Sequence, residues 1–215
     1  MNCKNPCLKL LFCTVVTVGA ISPAYADITL QNGDFSSGLA GWTVEWGDVT
    51  DGGGYALFQE DAFDISSTLS QQFTLPLGAQ LLSFDLTLSA EGDRDPFAWP
   101  DAFTASLLDA ATFDPLITWD PFVTEFFLLE NTGAMETSAG MAVAGNTISL
   151  DVSSWRGQDV LLSFDLWGSY DGMTTTTHLD NVDVSVVPLP SAVLLAIVGL
   201  GSSIIGLPLK RKRVV

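Results

Sequence analysis

Apolar and polar residues alternate along one stretch of the chain, Leu82-Ser83-Phe84-Asp85-Leu86-Thr87-Leu88-Ser89. Because successive side chains of a β-strand point to opposite faces of a sheet, this pattern predicts a strand with one buried face and one polar face. Similar short patterns recur at residues 42–46, 69–75, 103–107, 122–128, 147–152, 160–166 and 179–186. A chain built from such segments has to bury one face of each strand against other strands.

Clusters of Gly, Asp, Asn and Pro separate these segments and indicate turns. They lie at residues 32–34, 51–54, 76–78, 91–93 and 171–172. Between residues 27 and 186 no stretch combines helical periodicity with helix caps. The sequence therefore predicts one all-β domain over residues 27–186, a jelly-roll-like β-sandwich.

The hexapeptide LLSFDL occurs twice, at residues 81–86 and 161–166. We expect the two copies to be equivalent central strands that place Leu and Phe in the core. The second copy continues into Trp167, which has the same phase as the polar residues Ser163 and Asp165. An aromatic residue on the polar face is either covered by a loop or exposed to a ligand.

The first 26 residues have the pattern of a secretory signal peptide. Lys4 and Lys9 precede the apolar stretch 10–21, and the small-residue pattern Ala24-Tyr25-Ala26 follows, so signal peptidase is expected to cleave before Asp27. The three cysteines of the chain lie within this segment. The exported domain would therefore contain neither a thiol nor a disulfide.

The predicted domain is strongly acidic. Residues 27–186 contain all 25 acidic residues of the chain but only two basic ones, Arg94 and Arg156, which gives a formal net charge of −23. Nucleic-acid binding depends on Lys and Arg that neutralise phosphates, so this composition excludes a nucleic-acid partner. The acidity favours solubility outside the cell.

The residue types in the domain leave few catalytic mechanisms available, and we expect a protein that is not an enzyme. His178 is the single histidine, the domain has neither Cys nor Lys, and no Gly-x-Ser-x-Gly motif occurs. Glycoside hydrolysis needs only two suitably spaced carboxylates, so a glycan-active enzyme remains an open alternative.

Sugar rings stack on exposed aromatic side chains, and three such residues are candidate contacts. Trp99 lies in the proline-flanked acidic segment 93–101, and Trp167 and Tyr170 follow the second LLSFDL copy. Local packing of a long loop is the alternative explanation for each of them. Trp42 and Trp46 share a phase with Val44, and we expect both indoles in the core.

Three segments together resemble bacterial jelly-roll domains of the carbohydrate-binding-module type: Asn32-Gly33-Asp34-Phe35, Gly41-Trp42-Thr43-Val44 and Leu179-Asp180-Asn181-Val182. The resemblance implies that the first and last strands lie close together. It also implies a calcium ion bound by Asn32, Asp34 and Asp180, although Ser36 stands where the family commonly has Glu. The alternative for these residues is an Asn-Gly-Asp turn and a polar strand edge.

The last 29 residues consist of Val187-Pro188-Leu189-Pro190, an apolar stretch over 191–209, and the basic cluster Lys210-Arg211-Lys212-Arg213. A helix of this apolar stretch would be about 28 Å long, close to a hydrocarbon core of about 30 Å. The basic cluster would stop transfer and remain in the cytoplasm, with the acidic domain on the other side of the membrane.

This tail resembles the PEP-CTERM sorting domain of Gram-negative bacteria that produce exopolysaccharide, with Leu189 in place of the Glu that gives the domain its name. The resemblance implies recognition by exosortase at Pro188-Leu189-Pro190. It also implies tethering to the inner membrane with the domain in the periplasm, followed by transfer to the cell surface or the extracellular matrix. The alternative is a permanent single-pass anchor.

These patterns predict a secreted surface or extracellular-matrix protein of a biofilm that interacts with polysaccharide and is not an enzyme. Three alternatives remain open at this stage. They are a carbohydrate-binding module with a defined sugar site, a glycan-active enzyme, and a structural adhesion protein.

The intact mass of the protein from its native host tests both predicted processing events. We expect a species that starts at Asp27 and ends between Pro188 and Pro190, found in the envelope or the medium. A species that retains Arg213 would instead show a permanent anchor and would contradict processing by exosortase.

Overall fold

The computed structural model describes residues 29–60, 65–169 and 172–187. The strands are β1 (Thr43–Trp46), β2 (Asp48–Asp51), β3 (Ala56–Gln59), β4 (Ser66–Thr74), β5 (Ala79–Gly92), β6 (Ala102–Asp109), β7 (Glu125–Glu130), β8 (Met135–Thr137), β9 (Met141–Ala144), β10 (Thr147–Asp151), β11 (Asp159–Trp167) and β12 (Met173–Val186). The only helix in these ranges is one 3₁₀ turn, Ser153–Trp155.

The predicted signal peptide, Pro188-Leu189-Pro190, the apolar stretch 191–209 and the basic cluster 210–213 lie outside the described residues, as does Tyr170. Within the described part of the chain, no helix has the length and apolarity needed to cross a membrane.

The strands form two six-stranded antiparallel sheets, which confirms the all-β prediction. The front sheet has the order β1-β4-β11-β6-β7-β8, and the back sheet has the order β2-β3-β12-β5-β10-β9. Four pairs are nested along the chain: β3 with β12, β4 with β11, β5 with β10, and β6 with β7. This nesting resembles one long hairpin rolled over on itself, which is the jelly-roll arrangement.

The two LLSFDL copies are central strands, as predicted, and they face each other. The first lies in β5 of the back sheet and the second in β11 of the front sheet, and their Leu and Phe residues at alternate positions are buried: Leu82, Phe84, Leu86, Leu162, Phe164 and Leu166. The rings of Phe84 and Phe164 meet edge to face, with centroids 5.1 Å apart. The repeated hexapeptide thus supplies the centre of the core from both sheets.

The beginning of the domain contacts its last strand through a turn at Gly33. The family resemblance implied contact between the first and last strands, but β1 lies in the front sheet and β12 in the back sheet. The Val182 amide donates a 2.9 Å hydrogen bond to the Gly33 carbonyl. A Cβ at Gly33 would lie 1.8 Å from the Val182 carbonyl oxygen, so this approach requires glycine. A bulge in β12 between Asp180 and Asp183 brings Val182 to this position.

The alternation over residues 122–128 predicted a strand that begins too early. Strand β7 starts at Glu125, and Phe122 is 94% exposed. The Asp120 carboxylate accepts a 2.9 Å hydrogen bond from the Phe122 amide, a turn that competes locally with strand formation. The short strands β2, β3, β8 and β9 were not predicted; each has three or four residues, and β8 and β9 contain no buried residue that would mark an alternation.

Truncating Phe164 should be far more costly than truncating Phe122. Phe164→Ala removes the ring that contacts Phe84 and leaves a cavity, and we expect a loss of about 3–5 kcal/mol in the free energy of unfolding. The same change at exposed Phe122 should cost less than about 0.5 kcal/mol. Urea-induced unfolding measures both, and similar losses for the two variants would contradict this description of the core.

Candidate functional site

A groove of about 610 Å³ lies on the outer face of the front sheet, and we call it the front groove. Its lining comes from four strands and the segment after β6: Glu45, Trp46, Ser66, Thr68, Ser70, Leu108, Phe113, Leu161, Ser163, Asp165 and Trp167. Two indoles, two carboxylates and four hydroxyl groups are therefore gathered on one surface.

The strand register explains this gathering. Between β4 and β11, Ser66 lies opposite Trp167, Thr68 opposite Asp165, and Ser70 opposite Ser163. These residues occupy alternate positions, so their side chains share the outer face of the sheet. Trp167 lies on this outer face and is 43% exposed, so of the two alternatives that its polar phase left open, the structure shows exposure and not cover by a loop.

Trp46 corrects the sequence analysis, which expected it in the core with Trp42. Only Trp42 is buried; Trp46 is 67% exposed, and Val44 is exposed as well. Strand β1 begins after Trp42, and the register with β4 shifts between Val44 and Trp46, so the period of two does not hold across the segment. The buried Trp42 indole donates a 3.2 Å hydrogen bond to the Asn32 carbonyl.

Gly47 determines the position of the Trp46 side chain at the end of β1. It has a positive φ of 68°, and a Cβ there would lie 2.3 Å from the Ser66 carbonyl oxygen. The chain turns at this glycine from β1 in the front sheet to β2 in the back sheet. Trp46 is therefore the last residue of an edge strand, at the rim of the groove. Gly47, directly after Trp46, was the feature of the sequence that could have predicted this position.

Hydroxyl groups hold both carboxylates of the front groove. Ser70 donates to Glu45 at 2.9 Å, and Asp165 accepts hydrogen bonds from Thr68 at 2.5 Å and from Ser163 at 3.1 Å. Burial raises the pKa of Asp165 above its ordinary value; these two hydrogen bonds oppose the shift, and the nearby Glu125 charge adds to it. Sequence analysis missed Glu45, Thr68 and Ser70, because none of them stands out until the strands pair.

The segment 93–101, which we call the distal loop, exposes two aromatic rings. Phe97 is 95% and Trp99 is 85% exposed. Inside the loop the Asp95 carboxylate accepts the Phe97 amide at 2.9 Å, and the Arg94 guanidinium donates to the Ala98 carbonyl at 2.8 Å. Trp99 is outside the front groove, so the structure does not combine it with Trp167 in one surface.

Asp101 anchors the distal loop at the start of β6. This fully buried carboxylate accepts hydrogen bonds from the Ser169 amide at 2.7 Å, the Thr175 hydroxyl at 2.5 Å and the Asn131 amide group at 3.1 Å. The Ser169 hydroxyl also lies within hydrogen-bond distance of the Asp101 carboxylate and the Trp99 carbonyl and can donate its one proton to either. One carboxylate thus joins the ends of β6, β7 and β11 to β12 and fixes the base of the loop.

The three residues proposed for calcium each make local hydrogen bonds. The Asn32 side chain donates to the carbonyls of Gly38 at 2.8 Å and Ala40 at 3.0 Å. Asp34 accepts the amide and hydroxyl of Ser36, which lower its pKa, and Asp180 accepts the Asn181 amide. Asn32 and Asp34 line a second groove of about 540 Å³, whose lining does not include Asp180.

Nowhere in residues 29–60, 65–169 and 172–187 do three or more Asp, Glu, His or Cys side chains come together in a way that could hold a metal ion. His178 lies within β12, is exposed, and stacks on Tyr55 with ring centroids 4.4 Å apart. It is not part of the front groove.

Comparison with protein-family models finds no match, and comparison with curated proteins finds none either. Solved structures give distant similarities. The carbohydrate-binding module TmCBM61, in complex with β-1,4-galactotriose, matches with a TM-score of 0.41 and 13% identity over 74% of this chain and 99% of its own. CBM28, a module specific for non-crystalline cellulose, matches with a TM-score of 0.31 and 12% identity over 73% and 93%.

The enzymatically active domain of bacteriophage CBA120 tailspike protein 4 matches with a TM-score of 0.41 and 11% identity, over 75% of this chain but only 22% of its own. Similarity at this level carries no argument about what the chain does.

The opposite pKa shifts of Asp165 and Asp109 predict opposite pH effects on stability. The raised pKa of Asp165 means that its charge disfavours the folded state as the pH rises above 3.8. The free energy of unfolding of Asp165→Asn, relative to that of the wild type, should therefore increase as the pH is raised from about 3 to about 7.

Asp109 is the matched control. Hydrogen bonds, first from the Ala111 amide, lower its pKa, so its charge favours the folded state and its contribution is lost on acidification. The free energy of unfolding of Asp109→Asn, relative to that of the wild type, should decrease over the same rise in pH. Urea midpoints at three pH values measure both, and shifts in the same direction for the two variants would contradict the assignment.

Proposed function

We propose that this protein binds a polysaccharide chain in the front groove, outside the cell, and does not act on the chain as an enzyme. The observation that carries this proposal is the pair of exposed indoles, Trp46 and Trp167, beside a floor of carboxylates and hydroxyls. Indoles provide flat apolar surfaces for sugar rings, and the polar floor provides partners for sugar hydroxyls.

The spacing of the indoles favours a polymer over a single sugar. Trp46 lies opposite Thr68, which lies opposite Asp165, so two strand spacings, about 10 Å, separate the backbones of Trp46 and Asp165. Trp167 lies two residues, about 7 Å, further along β11. A single sugar ring is too small to stack on both indoles, whereas neighbouring rings of a chain can.

The groove is preorganised for binding. The two carboxylates are held by Ser70, Thr68 and Ser163, all of which are on the paired strands β4 and β11. Side chains on central strands lose little further freedom when a ligand binds, so less of the interaction energy is lost to ordering. Trp46 lies on an edge strand and is the more adjustable of the two aromatic contacts.

A glycan-active enzyme is the second candidate, and one observation favours it. Glu45 and Asp165 share the groove, and the raised pKa of Asp165 is typical of a general acid. Release of new reducing ends from a panel of matrix polysaccharides tests it. Turnover that disappears in Asp165→Asn would establish the enzyme and contradict the proposal of binding alone.

We also propose that the domain is exported, is tethered to the inner membrane by its tail and is processed by exosortase. The sequence patterns of the two ends support this: the signal-peptide pattern of residues 1–26, and Pro188-Leu189-Pro190 with the apolar stretch and basic cluster that follow. Thr29 and Val186 line the same second groove, and the Val187 amide donates to the Gly78 carbonyl at 3.0 Å, beside the start of β5. The distal loop follows the other end of this 14-residue strand, about 45 Å away.

A tether that follows Val187 would thus leave from the end of the sandwich opposite Trp99. The exposed rings of the distal loop would then point away from the membrane, toward the matrix.

Trp99 is a separate candidate contact for polysaccharide. Calcium binding by Asn32, Asp34 and Asp180 stays a prediction that metal titration can test.

Loss of either groove indole should weaken polysaccharide binding. We expect Trp46→Ala and Trp167→Ala each to raise the Kd for a bound polysaccharide about tenfold or more, which corresponds to about 1.4 kcal/mol, because each removes one stacking surface. Affinity electrophoresis on a panel of soluble polysaccharides finds the ligand, and calorimetry measures the Kd.

Phe122→Ala is the matched control, since it removes an exposed aromatic ring outside the front groove. It should leave the Kd within about twofold of the wild type. If Trp99→Ala abolishes binding while both groove variants bind normally, the distal loop is the site and the front groove is not.

A further inference from the structure

We infer that the front groove binds polysaccharides without acidic substituents and discriminates against chains that carry carboxylate or sulfate groups. This inference rests on the proposed function, because it names the ligand class of the same groove. Two features of the groove carry it: the sign of its charges, and the direction in which its hydroxyl groups donate.

The charged groups in the lining of the front groove are both acids, Glu45 and Asp165, and a third acid, Glu125, is close enough to affect Asp165. The domain has two arginines to offset them, and neither lines the groove. Arg94 donates to the Ala98 carbonyl in the distal loop, and Arg156 donates to the Ala79 carbonyl at 2.6 Å. An acidic sugar would therefore meet charges of its own sign in the groove.

The hydroxyl groups strengthen this preference because most of them already use their protons. Ser70 donates to Glu45, while Thr68 and Ser163 donate to Asp165, so three of the four hydroxyls in the lining point their protons at carboxylates. A hydroxyl has one proton to donate, and its remaining lone pairs can only accept. The floor of the groove consequently presents acceptors to a ligand.

A sugar hydroxyl can donate to such a floor, and each carboxylate oxygen retains lone pairs for it. A carboxylate or sulfate group on the ligand has only acceptors, so above these three hydroxyls and two carboxylates it would lose its water without gaining a donor. Charge and hydrogen bonding thus select for the same ligands, which are uncharged and rich in hydroxyls.

Matched polymers with a common backbone test this inference. The probes are hydroxyethylcellulose against carboxymethylcellulose, and methyl-esterified polygalacturonan against polygalacturonate, compared by affinity electrophoresis and calorimetry at low salt and at about 0.15 M salt. We expect the uncharged member of a pair to bind at least about tenfold more tightly, with a smaller ratio at the higher salt concentration.

Two single variants link the discrimination to the groove. Glu45→Gln and Asp165→Asn each remove one negative charge and add amide donors, so the ratio between uncharged and acidic polymers should fall severalfold in each. Glu136→Gln removes one charge from β8, at the far edge of the front sheet, and should leave the ratio unchanged. Thermal unfolding confirms that each variant is folded before its binding is measured.

The outcomes separate this inference from the proposed function. Equal binding of uncharged and acidic polymers by the wild type would overturn the inference and leave the proposed function standing. Binding of neither kind, here and across the panel of soluble polysaccharides, would overturn both. An equal fall of the ratio in all three variants would show that the net charge of the domain, and not the groove, causes the discrimination, and would overturn the assignment to Glu45 and Asp165.

Discussion

The edge-to-face contact between Phe84 and Phe164 joins the two sheets at their centre, and the outer surfaces depend on it. Each ring lies in the middle of a long central strand and extends the contact to further rings, Phe126, Phe127, Phe103 and Trp42. Because side chains alternate along a strand, burying Phe164 also fixes Ser163 and Asp165 on the opposite face. The floor of the front groove and the core are therefore formed by opposite faces of the same strands.

Carboxylates in this acidic domain are stabilised largely by hydroxyls and backbone amides. Asp101 is fully buried and accepts hydrogen bonds from Ser169, Thr175 and Asn131, and Asp165 accepts them from Thr68 and Ser163. Such contacts satisfy the carboxylates without bringing cations into the groove. The hydrogen bonds to Asp165 and Glu45 leave the groove negative and rich in acceptors, and the proposed choice of ligand rests on this property.

The sequence predicted the central strands well and the edges poorly, for a physical reason. Along β5 and β11 the alternation is long, because one face of each strand is buried over its whole length. Strand β1 has four residues, a register shift and one neighbour, so local geometry overrides the period there. The same analysis therefore placed Trp167 correctly on the outer face and Trp46 wrongly in the core.

The sequence by itself determined the all-β class, the two central strands, the acidic charge of residues 27–186, which contain no lysine, and the outward phase of Trp167, because each of these follows from local alternation or from composition. Only the tertiary structure decided which residues share the front groove. Glu45, Ser70 and Asp165 are far apart in the chain and come together through the register of β1, β4 and β11. Register depends on how two sheets pack around one core, and no single segment of the chain contains that information.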